Sequence, residues 1–304
     1  MNCGFIGLGM LGAKMAEKIL QAGHSLQVYD QDSKAVEQLV AAGATSAGSV
    51  QDTANDIDTL ITCLPSPAIC AQVMTGVGGA LQALSAGSCW IEMSTTDADE
   101  MKRLALLACE RGIDVLECPA TGGVHRAVTG QMTLLVGGDE VVFERLRPLL
   151  EIMSGQIVYM GEIGNASLIK AVTNLLCLID LVAMGEGLML AKRGGLDLAR
   201  CYEAITASSG SSREFEDWAP VILNGSFNTG FTTDLGLKDL GFVTELGRRL
   251  DVPLKLATLV EQMFQASRER YGGDAWTPHV VKMMEEATGE ELRAEGFPDV
   301  IPQN

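Results

Sequence analysis

The glycine spacing at the start of the chain is the feature that most constrains its fold. A G-x-G-x-x-G pattern directly follows an apolar run centred on Ile6 and coincides with the predicted start of a helix. The first glycine permits a tight turn, the second lets a pyrophosphate approach the backbone, and the third lets helix and strand pack closely. The helix N-terminus then faces the phosphates. The pattern predicts a dinucleotide site formed by Gly7, Leu8, Gly9, Met10, Leu11 and Gly12.

A carboxylate follows the next predicted strand. The strand Ser25–Tyr29 leads into Asp30, close to the spacing of about 20 residues at which an acidic side chain binds ribose hydroxyls. A carboxylate repels a 2′-phosphate, and the neighbours Gln31 and Asp32 supply no arginine to bind one. We therefore predict NAD, rather than NADP, as the cofactor. Taken alone, Asp30 could also be a turn-forming residue at a strand end.

Apolar runs alternate with helical patterns through residues 3–160. This alternation predicts βαβ units and a mostly parallel sheet. The runs centre on Ile6, Leu26-Val28, Leu60-Ile61, Trp90-Ile91, Val115, Leu134-Val136 and Ile157-Val158.

From Asn165 onward the pattern is helical throughout. The predicted helices lie near 165–193, 197–207, 233–249, 253–270 and 277–288, and residues 289–304 are expected to form a polar tail. The fold class is therefore α/β: a Rossmann-type dinucleotide-binding domain precedes an all-α domain for substrate binding and oligomerisation, and the long helix 165–193 joins them. The predicted domains are 1–163 and 164–304.

The composition excludes several classes of protein. Apolar residues make up 47% of the 304 residues and charged residues 20%, so the chain can bury a large core and is not intrinsically disordered. The net charge of −17 argues against a nucleic-acid partner and against docking on an anionic membrane. An anionic substrate would then need a local cationic pocket.

The eight cysteines have no C-x-x-C spacing, and the three histidines are scattered. We therefore predict buried free thiols in a reducing compartment and no metal site. The chain starts without a basic segment or a cleavable apolar segment, and the apolar stretch 166–191 is interrupted by charged residues. These features predict a cytoplasmic protein with no membrane span.

Two residues of the predicted long helix combine into a candidate catalytic pair. Lys170 and Asn174 lie four residues apart and therefore share one helix face. A lysine in so apolar a helix can exchange a proton with a hydroxyl or carbonyl, and an amide one turn away can orient the same oxygen. The alternative is a lysine whose ammonium reaches solvent beside a surface asparagine.

Two further segments are ambiguous in isolation. Thr121, Gly122 and Gly123 follow an apolar strand, and glycine N–H groups beside a hydroxyl can hold a carboxylate. The same three residues could equally form a plain turn. Lys238 and Asp239 are adjacent charges, for which the simplest interpretation is a solvated pair.

Together these motifs resemble the β-hydroxyacid dehydrogenase family, which includes 3-hydroxyisobutyrate dehydrogenases and tartronate semialdehyde reductases. The resemblance covers essentially the whole chain. It implies a cofactor site that adds Leu64, Pro65, Thr95 and Lys238 to the glycine turn and Asp30. It implies a substrate site of Ser94, Thr121, Gly122, Gly123, Arg126, Lys170 and Asn174, with Lys170 as the acid/base and Asn174 as its helper. The pair Lys238-Asp239 matches a signature near the substrate.

The activity implied by the resemblance is transfer of a hydride between NAD and a small anionic 3-hydroxyacid or the matching semialdehyde, in a homodimer or homotetramer. Three alternatives stay open. Decarboxylating phosphogluconate dehydrogenases usually have a longer helical domain and a histidine where Thr173 stands. Imine reductases commonly lack the lysine kept here as Lys170. A non-catalytic dinucleotide-binding or interaction protein could use the same scaffold.

Three positions depart from the family pattern. Ala166 replaces a usual glycine, and Thr173 replaces an asparagine, which leaves Asn174 as the only amide of a usual pair. Arg126 stands where many members have a small residue.

Arginine pairs bidentately with carboxylate, sulfonate or phosphate. We therefore hypothesise that Arg126, together with His125, contacts a second anionic group on the substrate. The alternatives are that Arg126 points to solvent or pairs with Glu140 or Glu144 in the helix that follows.

Overall fold

The computed structural model describes residues 1–301. The chain divides into two compact units, Met1–Lys170 and the part from Ala171 onward. The division falls inside one continuous helix, Asn165–Arg193. Each unit contains an apolar core of its own.

The first unit is built around a nine-stranded sheet. Its strands are β1 (Asn2–Ile6), β2 (Ser25–Tyr29), β3 (Thr45–Ser46), β4 (Thr59–Thr62), β5 (Cys89–Glu92), β6 (Asp114–Glu117), β7 (Ala120–Thr121), β8 (Thr133–Gly138) and β9 (Gln156–Gly161). They lie in the order β3-β2-β1-β4-β5-β6-β8-β7, with β9 also paired to β8. Across the sheet, every neighbouring pair from β3 through β2, β1, β4 and β5 to β6 is parallel. Strand β8 runs antiparallel to β6 and β7. The predicted α/β class with a mostly parallel sheet is confirmed.

The helices of the first unit alternate with these strands. They are α1 (Gly12–Gln21), α2 (Ser33–Ala41), α3 (Val50–Ala54), α4 (Pro67–Thr75), α5 (Ala98–Cys109), α6 (Val124–Thr129) and α7 (Glu140–Met153), with a short 3-10 helix at Ala80–Gln82. Strands β4 and β5 are buried at every residue, as expected where helices cover both faces of a parallel sheet.

Strand β1 lies between β2 and β4, so the strand order reverses beside it. In such sheets the connections after two neighbouring strands leave in opposite directions, which opens a crevice at the carboxyl ends of the strands. The glycine pattern predicted to bind a dinucleotide follows β1 directly. The sheet topology therefore places this turn where ligands of parallel α/β sheets bind.

The second unit is helical, as predicted. Its helices are α8 (Asn165–Arg193), which begins in the first unit, then α9 (Leu198–Thr206), α10 (Arg213–Asn224), α11 (Thr233–Arg249), α12 (Lys255–Tyr271) and α13 (His279–Thr288). The five predicted helices are present with closely similar bounds. Helix α10 was not predicted, because Pro220 inside it interrupts an otherwise helical pattern of apolar residues.

Helix α8 combines an apolar composition with buried packing. By length and composition alone it could cross a membrane. Several of its apolar side chains nevertheless lie in the core of the second unit, among them Leu178, Leu181 and Leu188. It also carries Asp180 and Glu186 along this stretch. We interpret α8 as a core helix.

The expectation of a polar tail after residue 288 is wrong for the part of it that the structure describes. Leu292 is fully buried, and Ile301 is buried as well. The Leu292 N–H and the Arg293 guanidinium both donate to Oε1 of Glu285, at 2.9 and 2.7 Å. The segment looked polar because its apolar residues are widely spaced, yet four of them pack in the core of the second unit: Leu292, Ala294, Phe297 and Ile301. Val300 is exposed. Residues 302–304 lie outside the described part.

The two-residue strands β3 and β7 were not predicted either, because they are too short to show a periodic pattern. All eight cysteines lie within residues 1–301 and are thiols rather than disulfides. Burial raises the pKa of Cys70 and of Cys118 well above the usual value for a thiol. These two side chains therefore remain neutral members of the core.

The packing of the C-terminal segment leads to a stability prediction. Leu292→Ala removes a fully buried side chain and should lower the free energy of unfolding by about 2–5 kcal/mol, as is usual for leucine in a core. The control is Leu259→Ala on α12, where the leucine is 54% exposed. Thermal and denaturant unfolding of both variants would measure the difference. Equal stability of the two variants would contradict the buried position of the tail.

Candidate active site

The turn after β1 has the geometry that the glycine spacing predicts. Gly7 has a φ of 98°, and a Cβ at this position would collide with the carbonyl oxygen of Cys63. A Cβ on Gly12 would collide with the carbonyl oxygen of Gly7, so the close approach of α1 to β1 requires glycine. A Cβ on Gly9 would meet no atom within 4 Å. The first and third glycines are thus needed for packing, and the second leaves open space beside the backbone.

Asp30 lies at the carboxyl end of β2 and is held by the backbone. Its Oδ2 accepts a hydrogen bond from the N–H of Leu8 at 2.5 Å, and its Oδ1 accepts one from the N–H of Asp32 at 2.8 Å. The Leu8 side chain is buried in the core, whereas Met10 is exposed. Asp30 therefore connects the glycine turn to the end of the neighbouring strand and keeps its carboxylate at the edge of the sheet.

These residues fit a dinucleotide. The first residue before α1, Leu11, provides no side-chain cap for the helix N-terminus, so its N–H groups can receive a phosphate. The space beside Gly9 admits that phosphate, and the Asp30 carboxylate can bind ribose hydroxyls. The residues present therefore fit the phosphate and the ribose of a dinucleotide.

The turns after β4 and β5 are joined to each other. The N–H of Leu64 donates to Oγ of Ser94 at 2.7 Å. Ser94 is buried, Thr95 is partly exposed and Pro65 is exposed. The Ser94 hydroxyl, which is predicted to face the substrate, thus also holds the Leu64-Pro65 turn by a hydrogen bond. Of Ser94 and Thr95, Thr95 is the more accessible to solvent.

A buried glutamate supports this arrangement and was missed by the sequence analysis. Oε1 of Glu92, the last residue of β5, accepts the N–H of Ser94 at 2.7 Å. Its Oε2 accepts hydrogen bonds from the Thr62 hydroxyl and the Cys70 thiol, both at 2.7 Å. Burial raises the pKa of Glu92 above its ordinary value. A glutamate ending a fully apolar strand was the only signal available in the sequence.

A second buried glutamate, Glu117, ends the adjacent strand β6 and is the register partner of Glu92. It accepts hydrogen bonds from the N–H groups of Gly164, Ala166 and Ser167 at the start of α8. Burial raises the pKa of Glu117, and these hydrogen bonds oppose that rise. The sequence analysis missed this residue as well.

The loop Thr121-Gly122-Gly123 leads from β7 into α6. Gly122 and Gly123 have φ angles of 122° and 81°. A Cβ on Gly122 would lie 2.9 Å from Cδ of Arg126, and a Cβ on Gly123 would lie 2.9 Å from Cε1 of His125. Both side chains therefore fold back over the glycines. The half-buried Arg126 packs on the predicted substrate loop rather than extending into solvent.

Lys170 and Asn174 are both buried on α8, with exposures of 6% and 8%. The surface-lysine alternative for Lys170 is therefore wrong. Nδ2 of Asn174 donates to Oδ2 of Asp239 at 2.6 Å. With its amino group bound in this way, the Asn174 amide presents its oxygen as an acceptor.

Lys238 and Asp239 on α11 do not form the solvated pair that their sequence alone suggested. Asp239 is only 2% exposed, and its Oδ1 lies 3.3 Å from Nζ of Lys238. Asp239 thus links the predicted catalytic asparagine to the predicted cofactor lysine within the second unit. Among residues 1–301, no group of three or more His, Cys, Asp or Glu side chains could hold a metal ion.

Two family models cover almost the whole chain. Residues 2–161 match the NAD binding domain of 6-phosphogluconate dehydrogenase. Residues 164–284 match the NAD-binding domain of NADP-dependent 3-hydroxyisobutyrate dehydrogenase.

Named relatives match over nearly the same length. The chain is 35% identical to 2-(hydroxymethyl)glutarate dehydrogenase of Eubacterium barkeri, covering 95% of this chain and 96% of the relative. It is 32% identical to mitochondrial 3-hydroxyisobutyrate dehydrogenase of Mus musculus, covering 86% and 80%. A solved structure of 3-hydroxyisobutyrate dehydrogenase from Salmonella typhimurium superposes with a TM-score of 0.85 at 28% identity, covering 93% of this chain and 99% of that one.

These matches bear on the alternatives left open by the sequence. The relatives are named as hydroxyacid dehydrogenases, and their similarity to this chain extends over both units. This disfavours two of the alternatives, a phosphogluconate dehydrogenase and a non-catalytic scaffold protein. The glycine turn fits the nicotinamide dinucleotide that the matching domains bind. The chain therefore belongs to the β-hydroxyacid dehydrogenase family of NAD(P)-dependent oxidoreductases, which transfer a hydride between the cofactor and a hydroxyacid.

Proposed function

We propose that this protein oxidises a small anionic 3-hydroxyacid with NAD, or reduces the matching semialdehyde, and that Lys170 is its general acid/base. The observation that carries this proposal is a buried lysine one helical turn before a buried asparagine, whose amide is oriented by a buried aspartate. This polar group lies in a chain whose glycine turn fits a dinucleotide.

The cofactor would be held by the glycine turn, Asp30, the Leu64-Pro65 turn and Thr95, with Lys238 as a further contact. When bound, it supplies the hydride chemistry. The protein supplies orientation and charge around the reacting carbon.

The roles of the catalytic pair follow from their chemistry. The Lys170 amine takes the proton of the substrate hydroxyl during oxidation and returns it during reduction. The Asn174 amide oxygen accepts a hydrogen bond from either the lysine or the substrate hydroxyl, because its amino group is bound to Asp239. Asp239 thereby determines that the oxygen of the Asn174 amide, and not its nitrogen, is directed at the lysine or the substrate hydroxyl.

The substrate carboxylate would bind at the loop of Thr121, Gly122 and Gly123 through backbone N–H groups and the hydroxyl. Arg126, folded over Gly122, would contact a second anionic group. The relative from Eubacterium barkeri is named for a hydroxyacid with two carboxylates. A dicarboxylic hydroxyacid is therefore a substrate class that fits Arg126.

Assembly and location are proposed from the family. We propose a homodimer or homotetramer in the cytoplasm. The helical unit exposes large apolar side chains that a second copy could cover, among them Leu176, Leu190 and Leu256. Light scattering on the purified protein would measure the mass of the assembly.

The first prediction from this proposal concerns Lys170. Lys170→Ala should lower kcat by about 10²–10⁴, the range for a positioned acid/base. The Kd for NADH should stay nearly unchanged, because Lys170 is not among the residues proposed to hold the dinucleotide. Lys192→Ala, in the last turn of the same helix, is the matched control and should keep full activity. A folded Lys170→Ala enzyme that retained most of its kcat would refute the assignment.

Cofactor choice provides the second prediction. The wild-type protein should favour NAD over NADP by at least about tenfold in kcat/KM, or ~1.4 kcal/mol, since Asp30 repels the 2′-phosphate. Asp30→Ala combined with Gln31→Arg should narrow or reverse this ratio. Asp30→Asn is the control, because it removes the charge while keeping an oxygen to accept the N–H of Leu8. Equal wild-type kinetics with both cofactors would contradict the role of Asp30.

The third prediction tests Arg126 with paired substrates. For Arg126→Ala, KM should rise about tenfold or more, equivalent to at least ~1.4 kcal/mol, for a hydroxyacid with a distal carboxylate, sulfonate or phosphate. The KM of this variant should be unchanged for a short monoanionic hydroxyacid. Arg147→Ala, which removes an exposed arginine paired with Glu144, should change neither value. Equal effects of Arg126→Ala on the two substrates would assign the arginine a purely structural role.

A further inference from the structure

Glu117 connects the central sheet to the helix that carries Lys170. The Oε1 atom accepts the N–H of Gly164 at 2.5 Å and that of Ala166 at 2.9 Å. Its Oε2 atom accepts the N–H of Ser167 at 3.2 Å and also the Ser167 hydroxyl. One carboxylate thus satisfies several donors in the first turn of α8, where an α-helix lacks internal acceptors.

This carboxylate differs from the other acidic caps of the first unit. Asp139 is the residue directly before α7 and caps it through the N–H groups of Val141 and Val142. Glu117 is separated from its partners by about fifty residues of chain and is fully buried. A local cap stabilises its own helix, whereas Glu117 also determines where α8 begins relative to strand β6.

The surrounding backbone is shaped to accept this side chain. Gly137 on β8 lies against it, and a Cβ on Gly137 would collide with Oε1 of Glu117. Gly164 has a φ of 99°, a conformation that suits glycine, and its N–H is one of the donors to the carboxylate. The carboxyl group also lies at the positive end of the helix dipole, which favours its ionised form.

Glu117 is also close in sequence to the substrate loop. The chain runs from Glu117 through Cys118 and Pro119 into β7, which ends at Thr121. In the other direction, Lys170 follows Ser167 by three residues, or about one helical turn. The two ends of this hydrogen-bonded connection therefore carry residues proposed to bind and to react with the substrate.

We propose that Glu117 is a positioning residue, which sets the location of Lys170 relative to the substrate loop by anchoring the first turn of α8 to the end of β6. This proposal rests on the proposed function of Lys170. Glu117 itself need touch neither substrate nor cofactor.

Glu117→Ala should lower kcat by up to about 10²-fold, because a displacement of ~1 Å of a reacting group has effects of that size. Glu117→Gln, which keeps one acceptor oxygen, should have an intermediate effect. The Kd for NADH should change little in both variants, because the glycine turn and Asp30 are untouched. Hydrogen exchange of the amides of residues 166–170 should become faster in step with the loss of kcat.

Gly137→Ala tests the same idea while leaving the carboxylate intact. The new Cβ must displace Glu117, so this variant should reproduce the lower kcat and the faster exchange at the start of α8. It also covers the case in which Glu117→Ala fails to fold. The matched control is Asp139→Ala, which removes an acidic cap from a helix that carries no residue of the proposed site. It should lower Tm and leave kcat within about twofold, because α7 contributes nothing to the reacting geometry.

The outcomes separate this proposal from the one on which it depends. If Lys170→Ala retains activity, the acid/base assignment fails first. If Lys170→Ala is inactive while the variants at Glu117 and Gly137 match Asp139→Ala in kcat, then Glu117 only stabilises the fold and the positioning proposal is wrong. Unchanged hydrogen exchange at residues 166–170 in Glu117→Ala would equally overturn it.

Discussion

The parallel direction of strands β1, β2, β4, β5 and β6 is the constraint on which the proposed site of the first unit depends. Parallel strands bring their carboxyl ends to one edge of the sheet. The residues that follow or end these strands therefore lie at a common edge: Gly7, Asp30, Leu64, Glu92 and Glu117. Hydrogen bonds then join neighbouring connections, from Leu8 to Asp30 and from Leu64 to Ser94. The cofactor turn is consequently one of several connections at this edge of the sheet that are held by hydrogen bonds to their neighbours.

The sequence predicted the features that depend on local pattern. The glycine spacing identified a turn in which two glycines are needed for packing and the middle one borders open space. Asp30 follows its strand as expected, and its contact with Leu8 agrees with a place beside the cofactor turn. Helix α8 was predicted with the bounds that the structure has, because its apolar run is long and ends at a pair of glycines. Each of these signals is complete within a short segment.

The site features that sequence reasoning missed depend on contacts between distant segments. Glu117 and Ser167 are 50 residues apart, and Asn174 and Asp239 are 65 apart. Neither glutamate at the sheet edge belongs to a local motif, although a carboxyl group buried at the end of a strand must either accept hydrogen bonds or become protonated. The adjacent Lys238 and Asp239 looked like a surface pair because their burial depends on tertiary packing. The buried residues after α13 were missed for the same reason.

The most direct test of the central claim is turnover by the purified protein. A panel of 3-hydroxyacids, including members with a distal carboxylate, sulfonate or phosphate, would be incubated with NAD while absorbance of NADH is followed. The account predicts NADH formation with at least one member of the panel, and its loss in Lys170→Ala at unchanged NADH affinity. Absence of turnover across the panel in both directions, or turnover independent of Lys170, would contradict it.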